Sequence, residues 1–374
     1  GLIESTAGGH IYLIAPSVTN GGTVKAPEGR AGLYSATQAY LSEDPDGMVL
    51  VECPELAGTA ENTGAVEAKF GTIGMYGAAV NQSGVVEASG MVTGPKGEVK
   101  LVADDGGVSL GEGSTTATPE SNADPTGGGI DSNGGIEMLT DGSVTVGDGA
   151  QVVGHAGAIG IDSDGEVVFE DGSELRTEVA GIEVLAGQNL TMRGTARVDS
   201  ASVARMEADG TVEMAPESTI DAGRRTFLLA GEDAVLGSVA TAAGPPPEGY
   251  RDRDILEEDL PGLVYVRAHG GAVFDAGEGE TGHDGVNLKA SAIAIRAMTG
   301  IASDDMLEID STFGFVASTR SGDINVTDVG GGLTIMRTLR FPGVRIAIGG
   351  GGHDINLFAR SPLKVSGEVT NAGS

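Results

Sequence analysis

Short runs of alternating apolar and polar positions recur along the chain and predict β-strands. In "GSVTVGDG" from Gly142 and "GEVVFEDG" from Gly165, the third and fifth residues are apolar. "QNLTMRG" from Gln188 and "GTVEMAP" from Gly210 repeat this pattern, and the four starts lie 23, 23 and 22 residues apart. Side chains two positions apart share one face of a strand. The constant spacing therefore predicts stacked strands whose apolar residues form a continuous core.

A second phrase recurs nearer the start of the chain. It reads "GTVKA" at Gly22, "GAVEA" at Gly64 and "GVVEA" at Gly84, with a weaker copy, "GLIES", at Gly1. The spacings are 21, 42 and 20 residues, and we interpret the middle one as two units. Each of the last three copies is followed by a second strand pattern: "GRAGLYSA", "GTIGMYGA" or "GEVKLVA". Two strands with glycine-rich corners in about 20 residues predict one coil of a parallel β-helix.

Composition favours the same all-β architecture. The chain has 63 Gly, 40% hydrophobic residues, only 4% aromatic residues and no Trp. A core must therefore be built from Val, Ile, Leu and Ala, and the frequent glycines suit tight turns and are unfavourable in helices. The prediction is a single-stranded parallel β-solenoid with coils of 20–23 residues and a few protruding loops.

Two polar stretches interrupt the repeats. We predict one continuous solenoid over 1–374, with these parts: coils at 1–104, coils with a polar loop 115–135 at 105–141, regular coils of 22–23 residues at 142–243, a loop outside the coil at 244–262, and further coils at 263–374. "YLSEDPDGMVLVE" at 40–52 predicts a hairpin or an elongated coil, with "DPDG" as its turn. Both chain ends fall inside the repeat, so we expect a segment of a longer protein.

The formal net charge of -32 argues against nucleic acid as a partner, because cationic side chains bind phosphate backbones. Cys53 is the single cysteine, which excludes an intramolecular disulfide. It has no His nearby in the sequence, and its acidic setting favours a protonated thiol rather than a nucleophile. The sequence contains no run of 18 apolar residues, so no transmembrane helix is expected.

Motifs for cofactors and metals are weak. "GEGETG" at 277–282 fits a dinucleotide fingerprint, but a strand pattern follows it where a helix is required. "GGGGHDINLFA" at 349–359 is close to a calcium-binding repeat, yet Asn356 stands where an apolar residue is needed, so calcium is left open as the alternative. The pairs His283/Asp284 and His353/Asp354 are interpreted as turns, because "SGDINV" at 321–326 aligns with "GHDINL" without the His. We predict no catalytic residue, cofactor or metal.

A β-helical polysaccharide lyase or glycoside hydrolase is the alternative function. Such an enzyme would use paired carboxylates, and acidic clusters occur at Asp104/Asp105, at Asp304/Asp305 and between Asp252 and Asp259. Acids are frequent throughout this chain, so these clusters alone do not identify an active site.

Residues 8–104 resemble the filamentous haemagglutinin-type exoproteins of Gram-negative two-partner secretion. The resemblance is carried by "IAP", "NGGTVKAPEG", "ATQAYL", "DPDG" and "NTGAVEA", in that order. It implies a right-handed parallel β-helix that is exported through an outer-membrane pore and acts as an adhesin or surface filament. The family's Asn-rich secretion motifs are not found in this sequence.

These observations predict a secreted or surface-attached rod that mediates attachment or self-assembly. The expected partners are a host-cell, neighbouring-cell or polysaccharide surface, with head-to-tail self-association as a further hypothesis. The candidate interaction residues lie in the loop 244–262, where aromatic and basic side chains stand among acids: Tyr250, Arg251, Arg253, Asp254, Glu257 and Glu258.

Overall fold

Every regular element that the computed structural model describes is a β-strand, which confirms the all-β prediction. The described residues are 1–43, 49–88, 97–118, 135–155, 157–242, 244, 260, 262–277, 285–303, 305–347, 352–360 and 362–372. Within these ranges no helix is long and apolar enough to span a membrane. The chain divides into two compact units, Gly1–Ala186 and Gly187–Ser374, which are described separately.

Unit 1 consists of three parallel ladders of strands. Ladder A contains β1 (Leu2–Glu4), β4 (Thr23–Lys25), β8 (Ala65–Glu67), β11 (Val85–Glu87), β14 (Thr115–Ala117), β17 (Gln151–Gly154) and β20 (Glu174–Thr177). Ladder B contains β2 (Ile11–Ala15), β5 (Arg30–Glu43), β9 (Thr72–Gly77), β12 (Glu98–Ala103), β15 (Ile136–Thr140), β18 (Ile159–Ser163) and β21 (Ile182–Ala186). Ladder C contains β3 (Val18–Asn20), β7 (Thr59–Asn62), β10 (Ala79–Gln82), β13 (Val108–Leu110), β16 (Val144–Val146) and β19 (Val167–Phe169).

Successive strands of unit 1 enter the three ladders in turn, which gives a solenoid-like arrangement. Thus β9, β10 and β11 pair in parallel with β12, β13 and β14. Each coil has three strands, so the prediction of two strands per coil is wrong. The missed strand is the short one that precedes each repeated phrase, such as "VTN" in β3 and "TAEN" in β7. Its residues are mostly polar, so this strand lacks the alternation of apolar and polar positions that predicts a strand.

The interval of 42 residues between Gly22 and Gly64 is one coil, so its interpretation as two units is also wrong. Thr23 of β4 lies directly opposite Ala65 of β8 in the parallel register. The additional residues form a hairpin, in which the second half of β5 pairs antiparallel with β6 (Val49–Leu56). Of the two alternatives predicted for 40–52, the hairpin is confirmed in its two strands, and its "DPDG" turn lies outside the described residues.

The core of unit 1 is formed by apolar side chains that stack in register from coil to coil. Val144 lies opposite Val167, and Val146 lies opposite Phe169, as the spacing of 23 residues predicts. All four side chains are at most 1% exposed. Burial of such a side chain stabilises the fold by about 1.5–3 kcal/mol. The repeated alternation is therefore the main determinant of the register in this region.

A buried row of amide side chains explains why the phrase near the start of the chain repeats. Asn20 Nδ2 donates to Asn62 Oδ1 at 2.9 Å, and Asn62 Nδ2 donates to Gln82 Oε1 at 2.8 Å. The side-chain oxygens Asn20 Oδ1 and Gln82 Oε1 also accept hydrogen bonds from the backbone N–H groups of Gly22 and Gly84, each at 3.1 Å. In these three coils an amide residue two positions before the glycine bridges to the neighbouring coil and satisfies buried backbone groups at the corner.

Unit 2 is also built of parallel ladders. Ladder D contains β23 (Arg197–Ser200), β26 (Thr219–Ala222) and β29 (Ser238–Thr241). Ladder E contains β24 (Val203–Ala208), β27 (Arg225–Ala230) and β30 (Leu263–Ala268). Ladder F contains β22 (Leu190–Met192), β25 (Val212–Met214), β28 (Ala234–Leu236) and β31 (Val273–Asp275). Leu190 lies opposite Val212 and Met192 opposite Met214, which confirms this part of the predicted register.

Later strands of unit 2 are longer and less regular. The strands β32 (Leu288–Ala297) and β33 (Leu307–Thr319) each run from ladder D into ladder E. The remaining strands are β34 (Ile324–Asp328), β35 (Thr334–Ile335), β36 (Gly343–Ile346), β37 (Ile355–Ala359), β38 (Lys364–Val365) and β39 (Glu368–Asn371). The strands β36 and β39 extend ladder E. β32 also confirms the strand predicted after "GEGETG".

Candidate functional site

Three tyrosines, Tyr12, Tyr34 and Tyr76, form an aromatic cluster on the outer surface of ladder B in unit 1, which we call the tyrosine stack. The rings of Tyr34 and Tyr76 are nearly parallel, with an interplanar angle of 3° and centroids 4.9 Å apart. Tyr12 meets Tyr34 edge-on at 5.9 Å. Tyr34 lies over Gly32 and Tyr76 over Gly74, so closely that a Cβ on either glycine would collide with the ring. The sequence "G-x-Y" in β5 and β9 thus builds an aromatic patch that lies flat on the sheet.

Burial within this stack raises the pKa values of two of its phenol groups, those of Tyr34 and Tyr76. Burial raises the pKa of Tyr76 to about 12, with smaller contributions from Glu98 and Glu137. Burial also raises the pKa of Tyr34, and the adjacent Tyr76 adds to this effect. Both phenols therefore stay neutral in the folded protein across the ordinary pH range.

The tyrosine stack predicts a loss of stability at high pH. Unfolded tyrosines ionise at about pH 10, whereas Tyr76 in the folded protein ionises at about 12. Between these values the unfolded state has lost more protons, so the stabilisation is complete below about pH 10 and falls as pH rises towards 12. Phenolate absorbance and urea denaturation at each pH should show this, and Tyr76→Phe should weaken the dependence. Ionisation of all tyrosines together at about pH 10 would contradict it.

An acidic groove of about 270 Å³ lies further along the outer surface of ladder B. Its carboxylates are Glu98, Glu137, Asp162 and Glu183, which lie among apolar residues that include Leu139 and Leu185. The register places Glu137, Gly160 and Glu183 opposite one another in successive strands. Gly160 leaves open space at the centre of the row. Lys100 Nζ forms an ion pair with Glu137 Oε2 at 2.6 Å.

The acidic groove can present carboxylates to a ligand, but no metal site is formed there. Among the residues that the structure describes, no three His, Cys, Asp or Glu side chains are arranged to hold a metal ion. Asp104, from the predicted acidic clusters, is not part of the groove lining. Burial raises the pKa of Asp104, and the neighbouring Asp141 and Asp105 raise it further.

A basic groove of about 270 Å³ lies on the outer surface of ladder E in unit 2. It is lined by Arg267, His269, Arg296 and Arg320, together with small, apolar or hydroxyl residues: Ala268, Ala297, Met298, Ser318, Thr319 and Ala347. Arg267 lies opposite Arg296, which lies opposite Ser318 in the next strand. Ser318 lies opposite Arg345 in β36, so the row of polar residues continues beyond the groove. We call Arg267, Arg296, Arg320 and Arg345 the arginine row.

Most of the arginine row is exposed. Arg296, Arg320 and Arg345 are exposed, whereas Arg267 is half-buried and donates from Nη2 to His269 Nδ1 at 2.8 Å. Within the described part of the chain, no carboxylate forms an ion pair with these four arginines. Other arginines of the same unit are paired: Arg197 Nη2 lies 3.1 Å from Asp199 Oδ2, and Arg205 bonds to Glu207. The arginine row is therefore available to an anion.

Most of the predicted interaction loop lies outside the described residues. Its candidates, Tyr250, Arg251, Arg253, Asp254, Glu257 and Glu258, lie outside the described residues, as do His283, Asp284 and Asp304. Leu260, near the end of the loop, is 1% exposed and packs in an apolar cluster with Leu263, Val316, Met336 and Phe341. Of the predicted polar loop 115–135, Thr115–Ala117 form β14 and residues 119–134 are outside the description.

Two further positions singled out in the sequence, the pair His353/Asp354 and Cys53, lie within the described residues. His353 Nδ1 lies 3.4 Å from Asp323 Oδ1, and the same oxygen accepts the Asp354 N–H at 2.8 Å. Ile324 lies opposite Ile355, which confirms the alignment of the two "DIN" segments. Burial raises the pKa of the Cys53 thiol, in agreement with the protonated thiol that its sequence setting indicates.

Sequence reasoning missed both grooves. The signal for the basic groove was present in "LVYVRAHGG", "AIAIRAMTG" and "GFVASTRSG", which begin at residues 263, 292 and 314. Aligned, these segments place Arg267 and Arg296 at one position, with Arg320 two positions further along. Their unequal spacings of 29 and 22 residues concealed the alignment.

Comparison of the chain with protein-family models, with curated proteins and with solved structures finds no match to any of them.

Proposed function

We propose that this chain is a segment of a secreted or cell-surface adhesive protein, folded as a right-handed parallel β-helix. The observation that carries the proposal is the residue-for-residue stacking of the repeated phrases, as in Thr23 opposite Ala65 and Ala65 opposite Val85. Stacked coils of this kind satisfy the backbone of each interior strand and give a stable surface on which side chains repeat at about 4.8 Å.

The distribution of polar and apolar residues places ligand binding on the outside of the coils rather than in their interior. Inward positions are filled by aliphatic side chains such as Leu101, Met138 and Ile161, each at most 1% exposed. The acidic groove, the tyrosine stack and the arginine row all lie on outward faces. A ligand would therefore bind along the sides of the coils, as an adhesive protein requires.

Export and location follow from the resemblance to two-partner secretion exoproteins and belong to the same proposal. The protein would pass through an outer-membrane partner pore to the surface of a Gram-negative-type bacterium and contact a host cell, a neighbouring cell or a polysaccharide. Self-association is a further part of the proposal.

A polysaccharide lyase or glycoside hydrolase is the second candidate function. The acidic groove supports it, because Glu137, Asp162 and Glu183 line one open surface of the kind that a sugar chain could enter. The two candidates differ in whether the bound polysaccharide is cut.

Attachment and turnover can be measured on the same preparation. Beads coated with the purified chain should adhere to bacterial or host-cell surfaces, while acidic polysaccharides incubated with the soluble chain should keep their length. Beads coated with albumin provide the control. Absence of attachment above this control would overturn the adhesive proposal, and shortening of a polysaccharide would establish the enzymatic one.

A further inference from the structure

We propose that the arginine row binds a carboxylate- or sulfate-bearing polysaccharide chain. This inference rests on the proposed adhesive function and names the class of ligand that one surface of unit 2 would take. It is carried by the juxtaposition of Arg267 and Arg296 in adjacent strands, with Arg320 beside them in the same groove.

The guanidinium groups provide the chemistry that such a ligand needs. Arginine presents several N–H donors in a plane and binds carboxylate and sulfate-type oxygens through two parallel hydrogen bonds. Ser318 is half-buried in the same groove and supplies a hydroxyl group beside the guanidinium groups. Ala268 and Ala297 also line the groove, but they are only 1% and 5% exposed because they alternate with Arg267 and Arg296 along their strands.

The length of the row favours a chain over a single ion. Arg267, Arg296, Ser318 and Arg345 lie opposite one another in four neighbouring strands of ladder E, which are β30, β32, β33 and β36. At about 4.8 Å between strands, the row extends for about 14 Å. A single sulfate or carboxylate would contact one end of it, whereas a polymer with regularly spaced anionic groups can engage several arginines together.

The charge of the whole protein limits which polyanion can bind. With a net charge of -32, a duplex nucleic acid or an anionic bilayer would be repelled by the acidic surfaces around a wide contact area. A single polysaccharide chain is narrow enough to contact the row alone, and acids further than about 8 Å away are largely screened at physiological ionic strength. The geometry therefore favours the narrow ligand.

Binding should be measured on immobilised polysaccharides by surface plasmon resonance, with the full chain in solution. Polygalacturonate would provide carboxylates, heparin would provide sulfates, and dextran would be the neutral reference. We expect binding to one or both charged chains, no binding to dextran, and weakening as salt is raised. A charge-assisted hydrogen bond accounts for about tenfold in affinity, so Arg267→Gln/Arg296→Gln should bind about a hundredfold more weakly.

A matched control separates local contacts from net charge. Arg197→Gln/Arg205→Gln removes the same charge from paired arginines of unit 2 and should change the affinity less than about threefold. Because Arg267 is half-buried, Arg296→Gln/Arg320→Gln provides a second test at exposed positions, and thermal melting checks that each variant is folded.

Four outcomes would overturn the inference: no binding to either charged chain, equal losses in test and control variants, unchanged affinity in the test variants, or preferential binding of anionic vesicles or DNA through the same arginines. Attachment of coated beads to cells would still support the adhesive proposal in each case. Loss of bead attachment itself would remove the proposed function instead.

Discussion

A Gly64→Ala variant is expected to unfold at a lower denaturant concentration than the wild-type protein, with a free energy of unfolding lower by about 3 kcal/mol. The added Cβ would collide with the carbonyl oxygen of Gly22 in the coil beside it and would lie 2.9 Å from the Gly22 carbonyl carbon. Both are backbone atoms, so the strands must separate to admit one methyl group. Val85 N donates to Gly64 O at 2.8 Å, so the displacement would also strain the next coil.

Gly21→Ala is the control, because its Cβ would meet only Thr63 Oγ1 at an ordinary distance of 3.7 Å. Urea denaturation followed by circular dichroism should show a reduced midpoint for Gly64→Ala and nearly unchanged stability for Gly21→Ala. Equal stability of the two variants would mean that the repeated glycines are not in contact between coils.

Replacing Asn62 with alanine should lower the free energy of unfolding by a similar amount, about 3 kcal/mol. The Asn62 side chain is fully buried and makes hydrogen bonds to both neighbouring coils. Its amide nitrogen also donates to Val85 O at 3.2 Å. Alanine would leave buried polar groups without these partners and would open a small cavity, and both effects are unfavourable.

Asn81→Ala provides a matched control for Asn62→Ala. Asn81 lies in β10, next to Gln82, but its side chain is half-buried on the outer face. Its replacement should change the free energy of unfolding by less than about 0.5 kcal/mol. If Asn62→Ala were as mild as Asn81→Ala, the amide row would make no net contribution to the stability of the corners.

The regular part of the fold could be predicted because spacing and alternation agree there. Between 142 and 243 the coils have nearly constant length, so aligning the sequence gives the register of Val144 with Val167 and of Leu190 with Val212. A slip by one residue would turn every apolar side chain outward. The sequence pattern in this region thus has one stable solution.

The third strand and the coil of 42 residues could not be predicted in the same way. The strand β3 has only three residues, and its buried Asn20 looks like a loop residue when read without its neighbours. Its role depends on Asn62, which lies 42 residues away. The sequence at 40–52 fits a hairpin or an elongated coil, and spacing alone does not show whether a hairpin there replaces a coil or is inserted into one.

The two grooves form only when the strands pair in their observed register, so no contiguous sequence motif marks them. Arg267 and Arg296 become neighbours only when β30 is paired with β32, across an interval of irregular length. Glu137 and Glu183 likewise lie on one surface because β15, β18 and β21 are in register. Side chains that are individually unremarkable in the sequence acquire a shared surface through the parallel pairing.

The central claim, that equivalent positions of successive coils lie side by side, can be tested with spin labels. In a chain with Cys53→Ser, labels at Thr145→Cys and Val168→Cys should show strong dipolar broadening, because the two residues are opposite in the register and about 4.8 Å apart at Cα. Labels at Thr145→Cys and Asp162→Cys, which lie in different ladders, should interact more weakly. Equal broadening in the two pairs, or none for Thr145 with Val168, would contradict the stacked arrangement.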